Sequence, residues 1–182
     1  MTIRYQNSQW NGKKIIIGET DLYPNRPINL LVGFHGADST PENMLIHGNR
    51  LRLENTVAIY PEGPIDAGKG LWSWWQDGPK QMDTVAAFVR HTDDLMLEAK
   101  KYLHERLSPD APYRLCLWGF SQGGAAALVY SLLGGHPANK AASICGFLPE
   151  MPPPIADSQS NTAVLGIFGS NDNVVPSFLA EF

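Results

Sequence analysis

The chain has 182 residues and a mass of 20.0 kDa, the size of one ordinary domain with a single substantial core and too small for two enzymes. Fourteen basic and 18 acidic side chains leave a net charge of −4, and no basic run is longer than Lys13-Lys14 or Lys100-Lys101. This excludes nucleic acid as an expected partner, because a phosphate backbone calls for a basic patch. No apolar run reaches the ~18 residues of a membrane span. Residues 1–14 have neither the apolar segment nor the cleavage site of a signal peptide, so a cytoplasmic protein is expected. Cys116 and Cys145 each sit in an apolar run and read as buried thiols, without a disulfide framework.

Segments 3–5 and 14–19 flank Asn11-Gly12, whose residues readily take the positive φ of a tight turn, so the chain opens with an antiparallel pair. Short apolar runs follow at 28–34, 57–60, 114–119, 142–147 and 163–168. They are rich in β-branched or aromatic residues and bounded by Gly, Pro or Asn, as expected of strands buried on both faces. A helix is expected from Thr40-Pro41 to near Leu53. A longer one at 83–107 repeats apolar residues every three or four positions, with Asp83 as its N-cap. A third, at 122–133, ends at Gly134-Gly135. Strands alternating with helices predict one α/β domain over 1–182, with a mostly parallel sheet and helices on both faces. The Pro-rich stretch 151–161 reads as a surface connection.

The strand at 114–119 runs into Gly119-Phe120-Ser121-Gln122-Gly123, a G-x-S-x-G between a strand and a helix of small residues. That setting gives the motif its meaning: a sharp turn lifts the Ser121 hydroxyl above the sheet, and glycines on either side let neighbouring backbone close in. The helix starting at Gln122 aims its unpaired N–H groups at the same spot, making the Gln122 N–H one candidate oxyanion donor. His35-Gly36-Ala37-Asp38 follows the strand 28–34 and can bring a second donor, assigned to the Ala37 N–H. His35 itself reads as a structural histidine.

HGAD, the helix VAAFVRHTDDL, GFSQGGAAAL and GSNDNVVP, in that order from about Ile28 to Pro176, resemble the phospholipase/carboxylesterase family of the α/β-hydrolase superfamily, with some similarity to feruloyl-esterase-like members. The resemblance implies a nucleophile at Ser121, an acid at Asp172, and oxyanion donors from Gln122 and the HGAD loop. It also implies hydrolysis of short acyl esters, lysophospholipids or acyl thioesters without a cofactor. From the residues alone, Asp172 is as readily part of an Asn/Asp turn as an orienting acid.

In this fold the base follows the acid in sequence, so a histidine is expected after Asp172. No histidine follows His136. His47, His91, His104 and His136 read as solvated or structural. The expectation is therefore a domain lacking its last strand and helix, and with them the general base a serine needs. It leaves an apolar edge at 163–168 open to self-association. A non-catalytic remnant, an acyl-binding module and a thioesterase stand as alternatives. Trp72, Trp74 and Trp75, in a loop rich in Gly and Pro, either wall an acyl site or pin the loop. No P-loop, H-E-x-x-H or C-x-x-C is present, so no metal or cofactor is expected.

Overall fold

A computed structural model describes residues 3–51, 53–108, 110–153, 161–170 and 172. In chain order the elements are β1 (Arg4–Trp10), β2 (Lys13–Glu19), β3 (Ile28–Phe34), α1 (Glu42–Gly48), β4 (Thr56–Pro61), β5 (Ile65–Gly68), β6 (Leu71–Ser73), α2 (Gln81–Arg106), β7 (Tyr113–Phe120), α3 (Gln122–Leu133), β8 (Lys140–Ile144) and β9 (Ala163–Ile167). Among the described residues, seven strands form one sheet in the order β1-β2-β4-β3-β7-β8-β9. β1 and β2 run antiparallel to their neighbours; β4, β3, β7, β8 and β9 are mutually parallel. The expected hairpin turns at Asn11 and Gly12, both at positive φ.

The strand order places the site. From β3 the chain crosses to β4 on one side, whereas β7 pairs with β3 on the other. The loops leaving β3 and β7 therefore diverge, opening a crevice at the carboxyl ends of the parallel strands. The pairing of Phe34 with Gly119 brings His35-Gly36 beside Phe120-Ser121 at that edge.

Alternation along the strands sorts side chains between two faces. Ile15, Ile17, Leu30, Val32, Phe34 and Leu117 point to the face covered by α2 and α3. Ile16, Ala58, Tyr60 and Trp118 point to the opposite face, where Met44 of α1 packs. The first face holds most of the core, with Phe34, Trp74 and Phe88 fully buried. Each such side chain contributes about 1.5–3 kcal/mol through burial. Gly33 makes room on the second face, since a Cβ there would come within 2.7 Å of the Tyr60 ring and 2.8 Å of Trp118 Nε1.

Several expectations need correcting. β9 is not buried on both faces: all five residues are exposed. It is the outermost strand on its side of the described sheet, and no described helix makes more than a marginal contact with it. α1 stops at Gly48, packed so closely on the Tyr60 hydroxyl that a Cβ there would clash. α2 starts at Gln81, and Lys80 at its cap makes no side-chain hydrogen bond; Asp83 lies inside its first turn. β8 ends at Ile144 because Cys145 takes a left-handed φ of 53°. The segment 65–73, read as loop, is a small antiparallel hairpin turning at Lys69-Gly70. Most of the Pro-rich connection and Val174-Val175-Pro176 lie outside the described residues.

Candidate active site

Ser121 sits between β7 and α3 with φ 55° and ψ −124°, a sparsely allowed conformation that costs about 1–3 kcal/mol. Its surroundings hold it there. The Ser121 N–H donates to the Ile144 carbonyl (2.8 Å) and the Ser121 carbonyl accepts from the Ala125 N–H (3.0 Å). A Cβ on Gly119 would strike the Gly123 carbonyl, and one on Gly123 would be driven into the carbonyl oxygens of Phe34 and His35. The first turn of α3 is thus seated directly on the end of β3. A Cβ on Gly36 would lie 3.8 Å from Ser121 Cβ, so the loop after β3 touches the turn that carries the serine.

Two clefts open around this point. One, of about 350 Å³, is lined by Ser121, Phe120, His35, Ala37, Met44 and His47, with Asp38, Ser39 and Asn43 on its polar side. The other, of about 340 Å³, is lined by Gln122, Trp75, Gln76 and three carboxylates, Asp38, Asp66 and Asp77. Ala37 and Asp38 border both. Ala37 thus borders the cleft of Ser121 and that of Gln122. Gln122 begins α3, and an N–H at a helix start has no carbonyl one turn back to bond.

His35 is fully buried. Its Nδ1–H donates to the Gly36 carbonyl at 2.7 Å, and its ring lies 4.6 Å from that of Trp74. Burial pushes its pKa down to about 4, against the opposing pull of the Gly36 hydrogen bond and the Glu42 charge. It is a neutral structural histidine at physiological pH.

The tryptophans separate into different roles. Trp74 is fully buried and packs edge-on to Phe34 at 5.0 Å, while its indole N–H donates to the His35 carbonyl at 2.7 Å. It cannot wall a substrate site, because the core surrounds it. Trp72 carries Lys13 Nζ over its ring at 3.9 Å and lines neither cleft. Trp75 alone of the three borders a cleft.

Asp172 follows β9 by five positions, with its N–H donating to the Gly169 carbonyl at 3.3 Å. Since β7, β8 and β9 are parallel neighbours, the chain leaves β9 towards Asp172 at the same edge as Ser121, from a strand about 10 Å across the sheet from β7.

His47, expected to be solvated or structural, also borders the Ser121 cleft. It is exposed and stacks on Phe120 with ring centroids 6.4 Å apart. Also unforeseen were the side-chain roles of Gln122 and Ser73, which bind segments 48 and 35 positions distant. No periodicity signals such long-range pairs. Among the described residues, no group of three or more His, Cys, Asp or Glu side chains converges as a metal site, and no helix is long and apolar enough to cross a membrane.

A profile of the phospholipase/carboxylesterase family matches residues 24–182. The chain belongs to that family. Membership makes it a hydrolase of the ester type and accounts for its sheet, which has the α/β-hydrolase fold. A carboxylesterase from Mesorhizobium loti superposes with a TM-score of 0.74 at 16% identity, covering 97% of this chain and 81% of that one. A Bacillus cereus carboxylesterase gives 0.71 at 14% identity, covering 94% and 77%. Arabidopsis thaliana SOBER1 gives 0.62 at 18% identity, covering 84% and 79%. No curated protein matches the sequence significantly.

Proposed function

We propose that this member of the family is a serine carboxylesterase acting on small acyl esters, with Ser121 as nucleophile. The observation that carries the reading is the strained Ser121 turn facing a cleft shared with Ala37 and next to the start of α3. In the first step Ser121 Oγ bonds to the ester carbonyl carbon while its proton passes to a base. The negative charge on the carbonyl oxygen is held by the Ala37 and Gln122 N–H groups, each worth about 2.7–4 kcal/mol as single donors are elsewhere. The alcohol leaves with a proton, and water then cleaves the acyl-enzyme to release the carboxylic acid.

Asp172 is the acid that orients the base in this reading, supported by its exit at the same sheet edge as Ser121. The proton acceptor of the triad order would be a histidine downstream of Asp172. Within the cleft, His47 is the exposed imidazole beside Ser121. Trp75, Gln76 and the carboxylates of the second cleft then face the part of the substrate that extends past Gln122.

The test is hydrolysis of p-nitrophenyl acetate by the protein, by Ser121→Ala and by His47→Ala, together with labelling by a fluorophosphonate. Loss of both turnover and labelling in Ser121→Ala is expected; equal rates would remove Ser121 from the mechanism. A His47→Ala protein at the parent rate assigns the proton acceptor elsewhere. A folded protein whose Ser121 the probe fails to label would instead indicate an acyl-binding module without turnover. Comparing thioester with ester substrates separates the thioesterase variant of the same mechanism.

A further inference from the structure

The geometry points to residues 71–75 as a strap that sets the spacing between the two oxyanion donors, with the side chains of Ser73 and Gln122 as its positioning residues. This inference rests on the reading of Ser121 as nucleophile. The donors belong to segments far apart in sequence, Ala37 after β3 and Gln122 at the start of α3. Beyond the Phe34–Gly119 pair the β3–β7 ladder ends, so the sheet itself no longer fixes the 36–39 loop.

The strap takes over on one side. Ser39 and Trp72 exchange backbone hydrogen bonds of 3.0 and 2.8 Å. The Asp38 N–H donates to Ser73 Oγ at 2.9 Å, and the Ser73 hydroxyl donates back to Asp38 Oδ1 at 2.9 Å. One step earlier, the Trp74 indole N–H holds the His35 carbonyl. The peptide carrying the Ala37 N–H therefore lies between two tethered peptides. On the other side the strap grips α3: the Trp74 N–H donates to Gln122 Oε1 at 2.9 Å, and Gln122 Nε2 donates to the Trp75 carbonyl at 3.2 Å.

The anchor is rigid enough for the task. Trp74 is fully buried and Ser73 nearly so, and the Trp74 ring lies between Phe34 at 5.0 Å and Phe88 at 5.8 Å. Asp38 has φ 49°, a conformation unfavourable outside glycine, and its reciprocal pair with Ser73 offsets that cost. Neither the Ser73 hydroxyl nor the Gln122 amide side chain has a step of its own in ester hydrolysis. They act by keeping two N–H groups at one fixed separation, where a displacement of about 1 Å costs on the order of 10²-fold in rate.

The experiment compares Ser73→Ala, Gln122→Ala and Asp38→Asn in p-nitrophenyl acetate turnover, in denaturant midpoint, and in ¹⁵N relaxation at the Gly36, Ala37 and Gln122 amides. Expected for Ser73→Ala and Gln122→Ala is a fall in kcat of about tenfold or more with KM within about twofold, because donors act on the transition state more than on the bound ester. Asp38→Asn keeps an Oδ1 acceptor for the Ser73 hydroxyl and tolerates the left-handed backbone, so its Ala37 amide stays as ordered as in the parent. In Ser73→Ala the Ala37 amide loses order on the fast timescale. A folded Ser73→Ala protein with wild-type kcat, or with Ala37 as ordered as before, overturns the strap. If Ser121→Ala retains the parent rate, the nucleophile reading fails separately. The relaxation arm then decides alone: unchanged order at Ala37 overturns the strap, and lost order upholds it as the device that fixes this loop.

Discussion

Substituting His35 by asparagine should remove a pH-dependent weakness of the fold. The folded imidazole stays neutral to about pH 4 because burial opposes its charge, whereas in the unfolded chain histidine titrates near its ordinary value of 6.5. Unfolding between these values takes up a proton, so stability falls as pH drops from 6.5 towards 4. Between pH 8 and pH 5 the difference amounts to about 2 kcal/mol, and roughly four-fifths of it appears below pH 6.5. His35→Asn keeps a side-chain donor for the Gly36 carbonyl and cannot be protonated. Its absolute stability is lower because the ring's packing on Trp74 is lost, but its pH dependence should be flatter by that amount. Burial also lowers the pKa values of His91 and His136. Both proteins retain these residues, so their contribution cancels in the comparison. Urea unfolding followed by tryptophan fluorescence at pH 8, 6.5 and 5 measures the difference. Equal losses in the two proteins would refute the claim that a buried neutral His35 is responsible.

Gly123→Ala should lower stability by about 3 kcal/mol or more, since the added methyl meets fixed backbone rather than a side chain that can turn away; a denaturant midpoint equal to the parent's would contradict the packing described for the turn. Arg106→Ala should cost about 1–2 kcal/mol in urea unfolding. It strips two hydrogen bonds, of 3.1 and 2.9 Å, from the buried Glu19 carboxylate and leaves only the Tyr102 hydroxyl at 2.7 Å. Val164, Leu165 and Ile167 are exposed on β9, so Leu165→Lys should shift any concentration-dependent sedimentation towards the monomer. Sedimentation unchanged by the lysine would exclude that strand from association.

Much of the architecture was legible because it follows from local pattern. The β3 boundaries, the span of α3 and the seven strands of the main sheet among the described residues follow from local apolar runs and turn signals, and the G-x-S-x-G needs its strand and helix to mean anything. What escaped was non-local. The hairpin at 65–73 carries few apolar residues and pairs with itself under the rim of the site, although Gly68-Lys69-Gly70 was a usable turn signal. β8 begins at a lysine, which an apolar-run reading discards, and stops where Cys145 turns left-handed. The tryptophans looked equivalent in sequence. One is core, one lies under a lysine and one borders a cleft, a division made by contacts with residues tens of positions away. His47 was legible only as a solvated or structural histidine of a helix; the packing of α1 across the sheet edge places it in the cleft that Ser121 lines.

The crowding of backbone against backbone beneath Ser121 divides this region into parts with unequal freedom to vary. Gly119, Gly123 and Gly146 have no space for another atom, so the floor admits essentially one solution. Phe120, within the same five-residue motif, projects outward and remains 45% exposed, touching His47 rather than the interior. Diversification of what the cleft accepts can therefore proceed through that ring and its neighbour on α1 while the turn beneath stays unaltered.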